Sequence, residues 1–234
     1  MPFSADILWR TPEGVEIRGR LYGDGRRMRS QHALETREPV IITDLRTGQV
    51  ITLFPDRRGY TLFRAQPGIA RADGGHGPCR DVANGQCRGL GEVQWHGRRA
   101  TKWQTRRRLP QGEVHTTQWI DMERGLVLRH ESSDGDQDEL RMLGLEKRDG
   151  RTVEKWERVR SSGGRAALYS YHWYDPGLGM VVRDELPGGY VRTLTRIMIA
   201  PQDSSLFTVP VGYRRLDGVS GYQEGDPGVT LNGR

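Results

Sequence analysis

Val15-Glu16-Ile17-Arg18-Gly19-Arg20-Leu21-Tyr22 sets Val15, Ile17 and Leu21 at odd positions and charged residues between them, and the run breaks at Asp24-Gly25. A two-residue period is that of a strand with one face buried and one wet. Asp-Gly is a hairpin turn whose residues tolerate positive φ. The pattern extends in both directions. Upstream, Phe3-Ser4-Ala5-Asp6-Ile7-Leu8-Trp9 reads as a strand, separated by the turn Pro12-Glu13-Gly14. Downstream, strands are predicted near 26–32, 39–45, 49–54 and 59–64, with tight turns at Thr47-Gly48 and Arg58-Gly59.

Residues 65–91 interrupt the pattern with many Gly, two Pro and both Cys, and read as a loop with room for one short helical turn. Alternation resumes at about 92 and runs to about 200. Residues 201–216 look irregular, and 217–234, Gly-rich and polar, are expected to be a disordered tail. No long window keeps a helical period. The best, 136–148, is surrounded by strand pattern. About fifteen short, evenly spaced strands predict an all-β dominated protein, a large curved antiparallel sheet with little helix.

The chain has 234 residues, 35% of them hydrophobic, and a net charge of +6. That is long enough to bury a core, and the ordered alternation argues against disorder. Lys is confined to Lys102, Lys147 and Lys155, so Arg supplies nearly all of the 36 basic residues. Positive charge attracts phosphates, anionic lipid and acidic proteins. Thirty acidic residues are interspersed, and the clusters Arg26-Arg27, Arg57-Arg58 and Arg106-Arg107-Arg108 are short. Solvated strand and turn positions explain them before an anion-binding patch does, and no nucleic-acid partner is expected.

Cys79 and Cys87 flank a turn containing Asn84-Gly85. The spacing is no CxxC redox or zinc pattern, and it suits a local disulfide. Closing a loop of about nine residues contributes roughly 2.5 kcal/mol in the chain-entropy model. A disulfide implies an oxidising compartment, here read as the periplasm. No apolar run approaches the roughly 20 residues of a membrane span. No signal peptide is visible ahead of Phe3, so either one was trimmed or the periplasmic reading is wrong.

An internal repeat runs through the centre. Gly97-Arg98-Arg99-Ala100-Thr101-Lys102-Trp103 aligns with Gly150-Arg151-Thr152-Val153-Glu154-Lys155-Trp156, Trp119-Ile120-Asp121 with Trp173-Tyr174-Asp175, and Gly125-Leu126-Val127-Leu128-Arg129 with Gly179-Met180-Val181-Val182-Arg183. Two β-meanders, 97–147 and 150–200, extend one sheet. The Trp residues at equivalent places favour packing over a ligand-facing stripe.

Motifs of catalysis are missing. The six His residues show no HxH or HExxH spacing, and no metal site is expected. Asp134-Gly135-Asp136-Gln137-Asp138 opens like a calcium loop, but Glu139 and Leu145 stand where Gly and Glu are needed. No nucleophile elbow, P-loop or dinucleotide fingerprint occurs. The chain reads as a binding protein and not an enzyme, with no cofactor.

The start resembles the LolA/LolB-like periplasmic lipoprotein-binding superfamily, on Phe3-Ser4-Ala5-Asp6, Gly19-Arg20-Leu21-Tyr22, Met28-Arg29, Ile41-Ile42-Thr43-Asp44-Leu45, Leu53-Phe54-Pro55 and Tyr60. The rest is similar to uncharacterised bacterial proteins of that type, on the Cys-containing loop, Gly97 to Trp103, Trp119-Ile120-Asp121 and the closing Ser205-Leu206-Phe207-Thr208-Val209-Pro210-Val211-Gly212-Tyr213. The resemblance implies one domain over 1–216, an unclosed β-barrel whose apolar cavity takes lipoprotein acyl chains. The chain departs from the carriers in lacking an evident amphipathic lid helix and in carrying an extra meander. The superfamily also includes stress-signalling sensors of lipoproteins and at least one pathway enzyme, so the fold alone does not fix the function. Two functions are therefore expected: a periplasmic binding protein for lipoprotein acyl chains or another apolar ligand, or an envelope protein-interaction or stress-sensor module without a small ligand. Peripheral contact with an anionic membrane surface fits either. For the first, alternation in a half-closed barrel puts Val15, Ile17 and Leu21 on the inner face, joined by Ile42, Leu53, Leu62, Trp103 and Trp119. The same side chains could equally fill a packed core.

Overall fold

Strands form almost wherever apolar and polar residues alternate between Gly, Asp and Pro turns. The computed structural model describes residues 1–32, 38–64, 78–79, 85–110 and 112–216. In chain order the strands are β1 Phe3–Arg10, β2 Glu16–Gly23, β3 Arg27–His32, β4 Val40–Asp44, β5 Gln49–Phe54, β6 Gly59–Arg64, β7 Gly85–Trp95 and β8 Arg98–Leu109. They continue with β9 Gly112–Asp121, β10 Val127–Ser132, β11 Gln137–Arg148, β12 Arg151–Ser161, β13 Leu168–Asp175, β14 Met180–Leu186, β15 Tyr190–Met198 and β16 Arg214–Arg215. Among the described residues the helical elements are short 3-10 turns, such as Pro55–Arg57 and Ser204–Phe207. The fold is all-β, as the periodicity predicts. No helix among the described residues is long and apolar enough to cross a membrane.

The strands divide into two compact units. The first orders β16-β6-β5-β4-β3-β2-β1-β15, with β16 parallel to β6 and its other described pairings antiparallel. The second orders β14-β13-β12-β11-β10-β9-β8-β7, antiparallel throughout, and contains the three repeated sequence blocks. Among the described residues neither ladder closes on itself.

β7 starts at Gly85, earlier than the sequence suggests. Gly85, Gly89 and Gly91 blur the alternation, but pairing with β8 supplies the backbone hydrogen bonds that side-chain pattern does not announce. The remaining loop residues, 65–77 and 80–84, and the expected tail from Asp217, lie outside the described residues. Cys79 and Cys87 are bonded as expected, with Cα atoms 5.3 Å apart. Reduction is expected to lower unfolding stability by about 2.5 kcal/mol, seen as a lower urea midpoint with dithiothreitol than without. Equal midpoints would show that the bond constrains little of the unfolded chain.

Register sets the faces of the first unit. Tyr22, Arg29, Ile42, Ile51 and Leu62 stand directly opposite one another across β2 to β6. Residues directly opposite in antiparallel strands share a face. Leu21, Ser30, Ile41, Thr52 and Thr61 form the parallel row on the other face. Gly19 permits the close approach of β2 and β3, since a Cβ there would strike the backbone carbonyl of Gln31.

Candidate functional site

On the face that carries Ile42, a buried cluster forms from Val40, Ile42, Leu53 and Phe207, with Tyr22, Ile51, Tyr60, Leu206, Val209 and Tyr213 packed against it. Phe207 comes from the 3-10 turn Ser204–Phe207, capped by Asp203, whose carboxylate accepts from Ser205 N–H at 2.8 Å. Two arginines of β3 hold this segment down. Arg29 Nη1 donates to the Leu206 carbonyl at 3.0 Å, and Arg27 Nη1 to that of Phe207 at 3.4 Å. The Arg27 guanidinium also lies 5.0 Å from the Phe207 ring centre.

Beside this plug the face stays open. A recess of about 380 Å³ has Ile42, Ile51 and Phe207 as apolar lining and Asp24, Arg26, Arg27, Asp44 and Gln49 as polar lining. A second, of about 400 Å³, is bounded by Thr47, Gln49, Leu62, Phe63 and Arg64, and shares Gln49 with the first. The polar wall is pre-ordered: Arg26 pairs with Asp44 at 2.8 Å and Arg27 with Asp24 at 2.8 Å. The Arg26 hydrogen bond, with those from the Thr47 and Arg46 N–H groups, holds Asp44 far below the usual carboxylate range.

The residues expected to line a cavity fall in several places. Ile42, Leu53 and Leu62 share a face, and the first two meet in the cluster. Leu21 is buried on the opposite face, and Ile17 shares that side, opposite Trp9. Val15 precedes β2 and is 55% exposed. In the second unit Trp119 stands opposite Lys102, so Trp103, one residue on, faces the other way. Trp119 packs at 5.8 Å from Trp95 with Lys102 and Arg129 over its ring, and the Trp103 indole donates to Thr101 Oγ1 at 2.9 Å. The sequence reading missed Phe207, Ile51 and Arg27. The one signal for the plug is the apolar pair Leu206-Phe207 in a polar stretch, and that pair gives no hint of where it docks.

The second unit buries charge. Asp121, Glu154, Glu157, Asp175 and Asp184 are all buried, and most answer to an arginine. Arg124 grips Glu154 at 2.5 and 2.6 Å, while Trp156 Nε1 donates to the same carboxylate at 3.1 Å. Asp121 and Asp175, equivalent in the repeat, hold identical turns. Asp121 Oδ1 accepts from the N–H groups of Glu123 and Arg124 at 2.9 and 2.7 Å, and Oδ2 from Arg98 Nε. Asp175 does the same with Gly177 and Leu178, at 2.8 and 3.0 Å, and with Arg151 Nε. The turns close on Gly125 and Gly179, at φ 66° and 73°.

A third copy of this turn sits in the first unit, outside the internal sequence repeat. Asp44 Oδ1 accepts from Arg46 and Thr47 N–H, both at 2.9 Å, and Oδ2 from Arg26 Nε at 2.9 Å, with Gly48 at φ 69°. Its shared sequence is only Gly-Arg followed by Asp-x-x-x-Gly. Ile42 replaces the Trp that flagged the other two copies. The repeated motif is thus a turn staple, which assigns Asp121 and Asp175 to structure.

Ser170, His172 and Asp184 form a hydrogen-bonded row, with Ser170 Oγ 3.0 Å from His172 Nε2 and His172 Nδ1 2.7 Å from Asp184. The order is that of a nucleophilic triad, but two features oppose that role. Ser170 is only 7% exposed. The N–H groups of a strand lie in the plane of the sheet and do not point from its face toward a developing oxyanion. The row reads as a satisfied polar patch. Among the described residues no group of three or more His, Cys, Asp or Glu could hold a metal.

Burial and pairing fix the response to acid. Burial lowers the His130 pKa below its ordinary 6.5. The Arg124 hydrogen bonds hold Glu154 low despite its burial. Burial raises Asp175, but Arg151 and the turn N–H groups more than offset that. All three folded values lie below the unfolded ones. Their contributions are therefore full above the unfolded pKa and are lost as pH falls through the folded one. Urea midpoints are expected to be flat near neutrality, to fall somewhat below about pH 6.5 and to fall steeply below about pH 4. A midpoint that rises on acidification contradicts this assignment.

No protein-family model matches the chain, and no curated protein is significantly similar to it. Solved structures show a distant likeness. A LolA superfamily protein from Nitrosomonas europaea matches with 11% identity and a TM-score of 0.38, over 88% of this chain and 90% of that one. An uncharacterized conserved protein from Thermus thermophilus matches with 11% identity and a TM-score of 0.34, over 92% and 90%. The hypothetical lipoprotein YmcC from Escherichia coli matches with 15% identity and a TM-score of 0.35, over 86% and 87%. The likeness includes the superfamily that the sequence resembles, at high coverage and low identity. At these scores it carries no argument about what the chain binds.

Proposed function

We propose that the chain is a binding protein for an apolar ligand of the acyl-chain class, acting in an oxidising compartment such as the periplasm. The observation that carries this reading is the recess on the outer side of the Phe207 plug. Its floor is Ile42 and Ile51, and its volume falls in the range of small-molecule sites. The adjoining recess continues the floor to Leu62. Of the residues expected to line a cavity, Ile42 and Leu62 line these recesses, Leu53 is buried in the cluster with Ile42 and Phe207, and Ile51 and Phe207 join the lining. Arg26, Arg27 and Arg64 at the rim suit a ligand with an anionic or strongly polar head. The Cys79–Cys87 bond supports the compartment.

Ile51 is half-buried and lines the recess, so Ile51→Trp adds bulk where space exists. Uptake of a fluorescent apolar dye is expected to weaken at least about tenfold, roughly 1.4 kcal/mol, with the urea midpoint nearly unchanged. Native mass spectrometry of freshly purified protein should show co-purifying lipid. Wild-type protein that carries no lipid and gives no dye response sinks the reading, and leaves the protein-interaction function.

A further inference from the structure

The β8–β9 hairpin ends in Arg106-Arg107-Arg108-Leu109, a charge run that the groove does not use. Residues 85–121 carry seven basic side chains (Arg88, Arg98, Arg99, Lys102 and the three arginines) against Glu92, Glu113 and Asp121. Asp121 is consumed by Arg98, and Glu113 by Arg106 and His115. Among the described residues no carboxylate pairs with Arg107 or Arg108, and both are exposed. Arg88 on the adjoining strand is exposed and, among the described residues, donates to the neutral Gln104 amide oxygen. The charge excess therefore concentrates at one end of one hairpin.

Register shows how the end is built. Arg106 stands opposite His115 and Arg108 opposite Glu113, while Arg107 stands opposite Val114. Alternation sends Arg107 to one face of the hairpin and its two neighbours to the other. No single face gathers all three guanidinium groups, but a plane approaching the tip end-on meets them together. Leu109, at that tip, is 37% exposed and is followed by exposed Pro110.

We propose that this tip docks the protein onto an anionic lipid bilayer, the arginines meeting headgroup phosphates and Leu109 entering the apolar boundary beneath them. Two features favour a bilayer over an acidic protein segment. Among the described residues the cations line no recess, and an apolar side chain, Leu109, is exposed beside them in the last pair of the hairpin. A cationic cluster with an apolar anchor is the chemistry of reversible surface binding. This surface lies in the second unit and does not depend on the ligand reading of the first.

The test is co-sedimentation with vesicles of phosphatidylcholine alone and with about one third phosphatidylglycerol. Wild type is expected to prefer the anionic vesicles, and the preference should shrink as salt shortens the Debye length. Arg107→Ala with Arg108→Ala should weaken anionic binding by about 25-fold, near fivefold for each charge. Leu109→Ser should weaken it at low and high salt alike. The control Arg18→Ala with Arg57→Ala removes the same net charge from exposed positions of the first unit and should change binding little. Equal binding to both vesicles, or equal loss in the control, overturns the proposal. So does tight binding of polyglutamate by protein that ignores vesicles, which would assign the tip to an acidic protein. Far-ultraviolet circular dichroism checks that each variant is folded. Dye uptake is measured without vesicles, so failure here leaves the groove reading standing.

Discussion

Replacing Phe207 with alanine is expected to cost about 3–5 kcal/mol of unfolding free energy. The ring is 2% exposed and sits among Val40, Ile42 and Leu53. Deleting it removes its transfer free energy and leaves a hole that Arg27, stacked over the ring and tied to Asp24, is poorly placed to fill. The substitution also separates two roles of the residue. If Phe207 only fills a core, the variant loses stability and gains nothing. If the recess beside it takes an apolar ligand, the variant should bind a larger dye than wild type, because the new space adjoins the old. Denaturant titration gives the first quantity and dye fluorescence the second. A loss below about 1 kcal/mol would contradict the plug, since surface substitutions lie in that range.

Asp121→Ala is expected to cost a similar amount, about 3–5 kcal/mol. The carboxylate is 2% exposed and serves two backbone N–H groups and Arg98. Truncation leaves the Arg98 guanidinium, itself largely buried, without its main partner, although Glu123 still reaches it at 3.0 Å from the exposed side. Asp121→Asn keeps an oxygen for the two N–H groups and loses the charge, so it should cost less. The same truncation at Asp44 should cost least of the three turns, because Arg26 is more than half exposed and returns to water when its partner goes. Urea midpoints of the three alanine variants should fall in that order, with Asp175→Ala close to Asp121→Ala. Equal losses at all three turns would show that burial of the arginine does not set the cost.

Two sequence features were readable for opposite reasons. The Cys79–Cys87 bond was legible because both partners lie in one short segment, where chain length alone limits how far apart they can be. The turn staple was half legible. Its Trp-flanked copies stand out, but the copy at Asp44 shares only Gly-Arg and the distant Asp-x-x-x-Gly, and two of the three donors to its carboxylate are backbone N–H groups that any residue supplies. β7 was read short because glycine carries no side chain to alternate.

Period two, fixed by the chemistry of successive side chains, determined the strands, their turns and the all-β class. It separates the two faces of one strand and says nothing of the phase between strands. That phase comes from backbone pairing, which places Tyr22, and not Leu21, on the face of Ile42. Tertiary structure therefore decided which apolar residues converge. It also decided that Phe207, more than 140 residues beyond Leu62 in sequence, packs against Ile42 and Leu53, and that in the second unit buried carboxylates paired with arginine lie alongside the apolar cluster of Ala100, Trp119, Leu128 and Trp156. Each is a contact between distant segments whose free energy depends on what else arrives at the same place, and no local pattern encodes it.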